Sequence, residues 1–172
     1  TGVFKSVSLT EDTTITAPDL LGITATLVEE KKRRYTVGAE MSSNDGLSLN
    51  GAWLHRNLFG GGERLKISGD VTNIGVAQGG ADFLLGVTLE RPATFTPDTT
   101  AGIGLSYGKL NEADFDANIF SATITLSHVV SEQLSGKAGL SYDYARIIDP
   151  RGESTYRALS LPVSVIWDRR DN

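Results

Sequence analysis

The chain contains no cysteine. Disulfides, thiol nucleophiles and cysteine metal sites are therefore excluded. Its only two histidines, His55 and His128, have no second ligand at zinc-binding spacing. No apolar run approaches the roughly 18 residues that a membrane helix needs. No convincing amphipathic helix of about ten residues can be written anywhere. A basic excess is missing as well: 16 Lys and Arg against 21 Asp and Glu give 16 − 21 = −5. Without a basic stripe, nucleic acid is not an expected partner. Phosphate-loop, dinucleotide and Gly-x-Ser-x-Gly signatures are absent. Gly60-Gly61-Gly62 is not followed by Lys-Ser/Thr, so it reads as a turn device. Neither catalysis nor a cofactor is expected. Thr1 opens the sequence without an initiator Met or a signal peptide, so the 172 residues are expected to be a piece of something longer.

What the chain does have is glycine, 19 residues against five prolines, and a composition rich in Thr, Ser, Val and aromatics that suits strands and turns. Strict alternation is the dominant signal. Leu65, Ile67, Gly69 and Val71 alternate with Arg64, Lys66, Ser68, Asp70 and Thr72. A helix would scatter those charges around its circumference, whereas a strand puts them on one face. The pattern recurs at Phe83 to Leu89, Ala101 to Tyr107, Phe120 to Leu126, Ala138 to Tyr144 and Leu159 to Trp167, and less strictly near 35–43 and 46–56. Turn signals separate these runs, among them Asn44-Asp45-Gly46, Gly79-Gly80, Pro97-Asp98 and Pro150-Arg151-Gly152. The expectation is an all-β antiparallel meander of about eight strands.

Alternation alone does not say which face is inside. A soluble barrel turns its apolar face inward, and a membrane barrel turns it outward to lipid. Small residues on the polar face, strands of 9–11 residues and aromatics near strand ends, including Tyr107, Phe120, Tyr144 and Tyr156, favour the transmembrane form. The internal charges Arg64, Lys66, Asp70, Glu90, Lys137 and Asp143 are expected to form a salt-bridge network in the wall rather than a conduction path. Ahead of the meander, segments 3–9 and 23–28 read as two strands around Pro18-Asp19. They end in the charge run Glu29-Glu30-Lys31-Lys32-Arg33-Arg34, which would be costly in lipid. A domain boundary is therefore drawn between 34 and 35. The basic part of the run is either a solvated hinge or a contact for anionic headgroups.

Two stretches carry a family resemblance: residues 28–46, with the charge run leading into Tyr35-Thr36-Val37-Gly38-Ala39-Glu40-Met41-Ser42-Ser43, and the block Arg56-Asn57-Leu58-Phe59-Gly60-Gly61-Gly62-Glu63. Together with the closing Asp168-Arg169-Arg170-Asp171-Asn172, they resemble the outer-membrane assembly-factor superfamily of BamA and TamA, the bacterial surface antigen family. Charge balance and short loops look closer to TamA. The resemblance implies that 1–34 is the periplasmic end of a POTRA domain and 35–172 the N-terminal half of a sixteen-strand outer-membrane barrel. The family's Val-Arg-Gly-Phe/Tyr loop motif is absent, as truncation would explain.

By the same resemblance, Tyr35 to Ser43 form the weakly paired edge at which client strands are templated, with Gly38 loosening the pairing. Arg56, Asn57, Leu58, Phe59, Gly60, Gly62, Glu63, Asp168, Arg170 and Asp171 form turns of the family pattern. The implied partners are unfolded outer-membrane protein clients such as autotransporters, outer-membrane lipid and an inner-membrane-anchored protein. The competing readings are a two-partner secretion pore of the same superfamily and a soluble β-barrel binding module.

Overall fold

A computed structural model of the chain describes residues 4–16, 20–77 and 79–169. It is built of strands in succession: β1 (Phe4–Thr16), β2 (Leu20–Glu29), β3 (Arg33–Ser42), β4 (Gly46–Arg56), β5 (Arg64–Ile74), β6 (Asp82–Arg91), β7 (Thr99–Asn111), β8 (Asp116–Val129), β9 (Leu134–Asp149), β10 (Gly152–Ser160) and β11 (Val163–Trp167). The fold is an all-β antiparallel meander. β1 and β2 pair only with one another, while β3 to β10 form one sheet in which every strand pairs with its neighbour in sequence. The Pro18-Asp19 loop expected between the first two strands lies outside the described residues.

Eight strands were expected in the sheet, and nine segments are found. The difference is local. β10 and β11 both pair with β9, as Ser160↔Ser141 and then Val163↔Ala138, without a change of register. They are one strand interrupted at Leu161-Pro162. Gly139 N–H donates to the Pro162 carbonyl at 2.9 Å, but proline has no N–H to return the bond.

The ends of β3 differ from the alternating stretch expected near 35–43. Arg33 and Arg34 already belong to β3, paired with His55 and Leu54. At its other end β3 stops at Ser42, and Ser43 lies in the turn to β4. β7, β8 and β9 run to 13, 14 and 16 residues, longer than the 9–11 expected. The added residues of β9 include Arg146, which grips Glu153 on β10 through Nε–Oε1 and Nη2–Oε2 contacts, both 2.7 Å.

Register confirms the two faces. On one, the rows across the sheet read Tyr35–Trp53–Ile67–Val87–Leu105–Ala122–Tyr142–Leu159 and His55–Leu65–Leu89–Ile103–Ile124–Leu140. On the other, one row is Thr36–Ala52–Ser68–Gly86–Ser106–Ser121–Asp143–Ala158. Tyr107, Phe120 and Tyr144 are direct neighbours on the apolar face. Tyr156 is not part of that belt. It pairs with Ala145 and so shares the opposite face with Ile119, Gly108 and Leu84. That face is therefore not wholly polar: Leu84 and Ile119 converge over Gly108, where a Cβ would come within 2.9 Å of Ile119 Cγ1.

Exposure tells which face looks outward. In β7, Ile103, Leu105 and Tyr107 are 50%, 47% and 52% exposed, whereas Gly102 and Gly108 on the other face are buried and Gly104 and Ser106 half-buried. Small residues better shielded than large ones mark the concave side of a curved sheet. The large apolar side chains thus stand on the convex, open side. Ile67, Phe83 and Leu85 are 40%, 48% and 60% exposed, and the buried apolar core among the described residues is Ala117 alone. A water-soluble barrel would have packed them into a dry centre.

Candidate functional site

Two features carry the candidate site: the free edge at β3 and the turn 57–63 that follows β4. Within the described residues β3 pairs only with β4, and β10 and β11 only with β9. Among the described residues the sheet does not close, which leaves β3 at one edge and β10 with β11 at the other. On the β3 edge, half of the backbone N–H and C=O groups point away from β4 with no strand to receive them. Tyr35, Val37 and Met41 project from its apolar face and are 71%, 87% and 85% exposed. Thr36, Gly38, Glu40 and Ser42 share the other face, and Ala39 lies with the apolar set opposite Leu49. Gly38 is opposite Asn50, whose side-chain oxygen occupies the place a Cβ would take. Besides weakening the strand, this glycine lets a polar side chain cross it.

The turn is held by side chains that the sequence motif contains. Asn57 takes a left-handed backbone, φ 56°, which asparagine tolerates better than most residues. Its N–H donates to the Glu63 carbonyl at 2.6 Å, and its Oδ1 accepts the Gly62 N–H at 2.9 Å. Gly60 and Gly62 have φ of 94° and 82°, values that need glycine. Glu63 is 5% exposed. Its Oε2 accepts N–H bonds from Phe59 at 3.2 Å and Gly61 at 3.0 Å. Its own backbone N–H, then those of Phe59 and Gly61 and the charge of Arg91, hold its carboxyl below the usual range against the opposing effect of burial. Leu58 is half-buried, while Phe59 is left 76% exposed at the tip. Arg56 ties the turn to the chain before β3: its N–H donates to Lys32 O at 2.7 Å and Nη1 to Lys31 O at 3.0 Å.

The closing motif is only partly described. Asp168 N–H donates to Gln133 O at 2.8 Å, which joins the end of β11 to the β8–β9 turn. Arg169 stacks on Trp167, 4.3 Å from the ring centroid. Arg170 and Asp171 lie outside the described residues.

The expected salt-bridge network reduces to one pair among the described residues, Arg64 Nη2–Glu90 Oε2 at 2.8 Å. Both partners are about two-fifths exposed, so this pair is worth at most about 1 kcal/mol. Asp143 accepts hydroxyl bonds instead, from Ser121 at 2.6 Å and Ser141 at 3.2 Å. A carboxylate held by neutral donors suits a wet surface. His55 and His128 stand near the ends of β4 and β8: His55 packs against Trp53, ring centroids 5.7 Å apart, and His128 Nδ1 lies 2.8 Å from Thr99 Oγ1. Sequence reading missed Asp82, buried at 7%. It accepts from Asn73 Nδ2 at 2.8 Å and from the Asn111 N–H at 2.6 Å, so that it ties the end of β5 to the end of β7. An acid flanking a Gly-Gly turn was the available signal.

No protein-family model and no curated protein matches the chain. Among solved structures, it is similar to the crystal structure of BamA from Haemophilus ducreyi lacking POTRA domains 1-3, with a TM-score of 0.63 and 19% sequence identity. The match covers 95% of this chain and 34% of that one, so the chain spans about a third of its length. At this identity the likeness is one of fold: an antiparallel meander matching a portion of the BamA barrel.

Proposed function

We propose that this chain is part of an outer-membrane protein assembly or translocation factor of the BamA/TamA superfamily, TamA-like in type. In this reading 35–172 is the N-terminal half of a sixteen-strand transmembrane barrel, and 1–34 is the periplasmic end of a POTRA domain. The protein is not an enzyme and uses no cofactor. It inserts client barrels, autotransporters among them, by templating their strands at β3. Its partners are unfolded client proteins, outer-membrane lipid and an inner-membrane-anchored protein.

One observation carries the proposal: β3 combines an unpaired backbone edge with outward Tyr35, Val37 and Met41. In lipid, each unpaired N–H or C=O costs several kcal/mol because no water can satisfy it. An extended client segment satisfies the whole edge at once by β-augmentation. In water the same edge would be an aggregation hazard.

The test is disulfide capture in the complete protein. A single cysteine at each position from 35 to 42, Val37→Cys first, is expected to trap a cysteine-bearing terminal strand of a client during assembly. Trapping at alternating positions would follow the ladder. No trapping at any of the eight would sink the edge mechanism. A complete protein that is monodisperse without detergent would sink the membrane reading itself.

A further inference from the structure

We infer that the convex face beside β3 holds one anionic phospholipid, with an acyl chain over Gly51 and Gly69 and its phosphate at Arg33 and the Lys31-Lys32 segment. The inference rests on the membrane reading above, which places this face in lipid.

A shallow apolar depression of about 330 Å³ lies on that face, walled by Tyr35, Val37, Trp53 and Leu85 with Gly51 and Gly69 beneath. Register explains it. One row across the sheet reads Val37–Gly51–Gly69–Leu85, two glycines between two large apolar residues. Nothing in the backbone demands Gly51: it is absent from the positive-φ glycines, and a Cβ there would meet no atom within 4 Å. At Gly69 a Cβ would meet only the movable Cδ2 of Leu85, at 3.2 Å. Both positions have room for side chains and carry none, so the apolar band is left with a trough open to its surroundings.

Beyond the Tyr35–Trp53 wall of the trough the same face becomes charged. Arg33 pairs with His55 on the same face, one rung beyond the Tyr35–Trp53 pair. Lys31 and Lys32 lie just before it, and the two bonds from Arg56 to their carbonyls fix them to the end of β4. From Arg33 to Val37 is four residues, roughly 13 Å of strand at about 3.3 Å each. That distance suits a lipid whose phosphate sits at the cations and whose tail crosses the glycines. Glu29 and Glu30 oppose the attraction, and the Glu30 carboxylate accepts the Lys31 N–H at 3.3 Å. Arg34 faces the other side of the sheet, beside Leu54. Lys31, Lys32 and Arg33 still outnumber the two acids. An apolar trough with cations at one end fits an amphiphile with an anionic head. A client strand pairing on β3 would add to the edge and leave this face to lipid.

The test uses the complete protein in neutral detergent, with native mass spectrometry against phosphatidylglycerol and phosphatidylcholine. Wild type is expected to retain one phosphatidylglycerol in preference to phosphatidylcholine. Lys32→Gln with Arg33→Gln should lower that preference by about fivefold per charge removed. Gly51→Leu should cut retention of both lipids while leaving the sheet's circular dichroism unchanged, and Gly51→Ala, too small to fill the trough, should retain them. Unchanged phosphatidylglycerol preference in the charge variant, or unchanged retention in Gly51→Leu, would overturn the site. So would disulfide capture of a cysteine-bearing client segment by a Gly51→Cys protein. A detergent-requiring protein without lipid preference defeats this site alone, whereas solubility without detergent defeats the membrane reading first.

Discussion

Glu63 Oε1 lies 3.9 Å from Arg91 Nε, while the other carboxylate oxygen of Glu63 accepts two N–H bonds from its own turn. One nearly buried acid thus ties the β4–β5 turn to the end of β6.

This tie predicts an acid sensitivity. The carboxyl of Glu63 is held below its ordinary value of 4.5, so folding favours the charged form. The stabilisation is fully present above that value and disappears as pH falls through the lower, folded one. Wild type is therefore expected to lose thermal stability on acidification below about 4.5 more steeply than Glu63→Gln, which has no charge to lose there. Thermal melts followed by circular dichroism across that range check it. Parallel curves for the two proteins would refute it.

Two glycines predict opposite outcomes for the same substitution. A Cβ on Gly61 would lie 2.5 Å from Glu63 Oε1, whereas one on Gly51 would touch nothing. Gly61→Ala has to displace the carboxylate and is expected to cost roughly 1–3 kcal/mol. Gly51→Ala removes only a flexible residue from a strand and is expected to be neutral or to stabilise by about 0.5–1 kcal/mol. Denaturant unfolding in detergent measures both, and equal effects would contradict this account of the turn.

Pro162 interrupts a strand whose register it does not disturb. The Gly139 N–H already reaches its carbonyl at 2.9 Å, and only the return bond is missing. Pro162→Ala supplies the N–H and is expected to stabilise the β9 pairing by about 0.5–1.5 kcal/mol, with slower hydrogen exchange at the new amide. Gly139→Ala should do the reverse, because its Cβ would lie 2.6 Å from the Ile124 carbonyl. An unprotected amide at 162 would show that something other than the missing donor separates β10 from β11.

The meander, its strand order and the composition of its faces were legible in the sequence because side chains alternate with a period of two and each strand pairs with the next. Leu65, Ile67 and Val71 declare a strand whatever surrounds them. The turn at 57–63 was legible as a motif but not as a mechanism: that Glu63 reaches back to Phe59 and Gly61 depends on three left-handed residues folding the chain onto itself. Strand ends were less legible. Ser43 was expected in β3 and falls in a turn, and Tyr156 was expected among the girdle aromatics and faces the other way. A shift of one residue reverses a side chain, and local composition does not fix it.

By itself, then, the sequence determined a two-faced antiparallel sheet, since alternation is a property of neighbouring residues. Only the tertiary structure decided which face is convex, because curvature shields one side from solvent and depends on all the strands together.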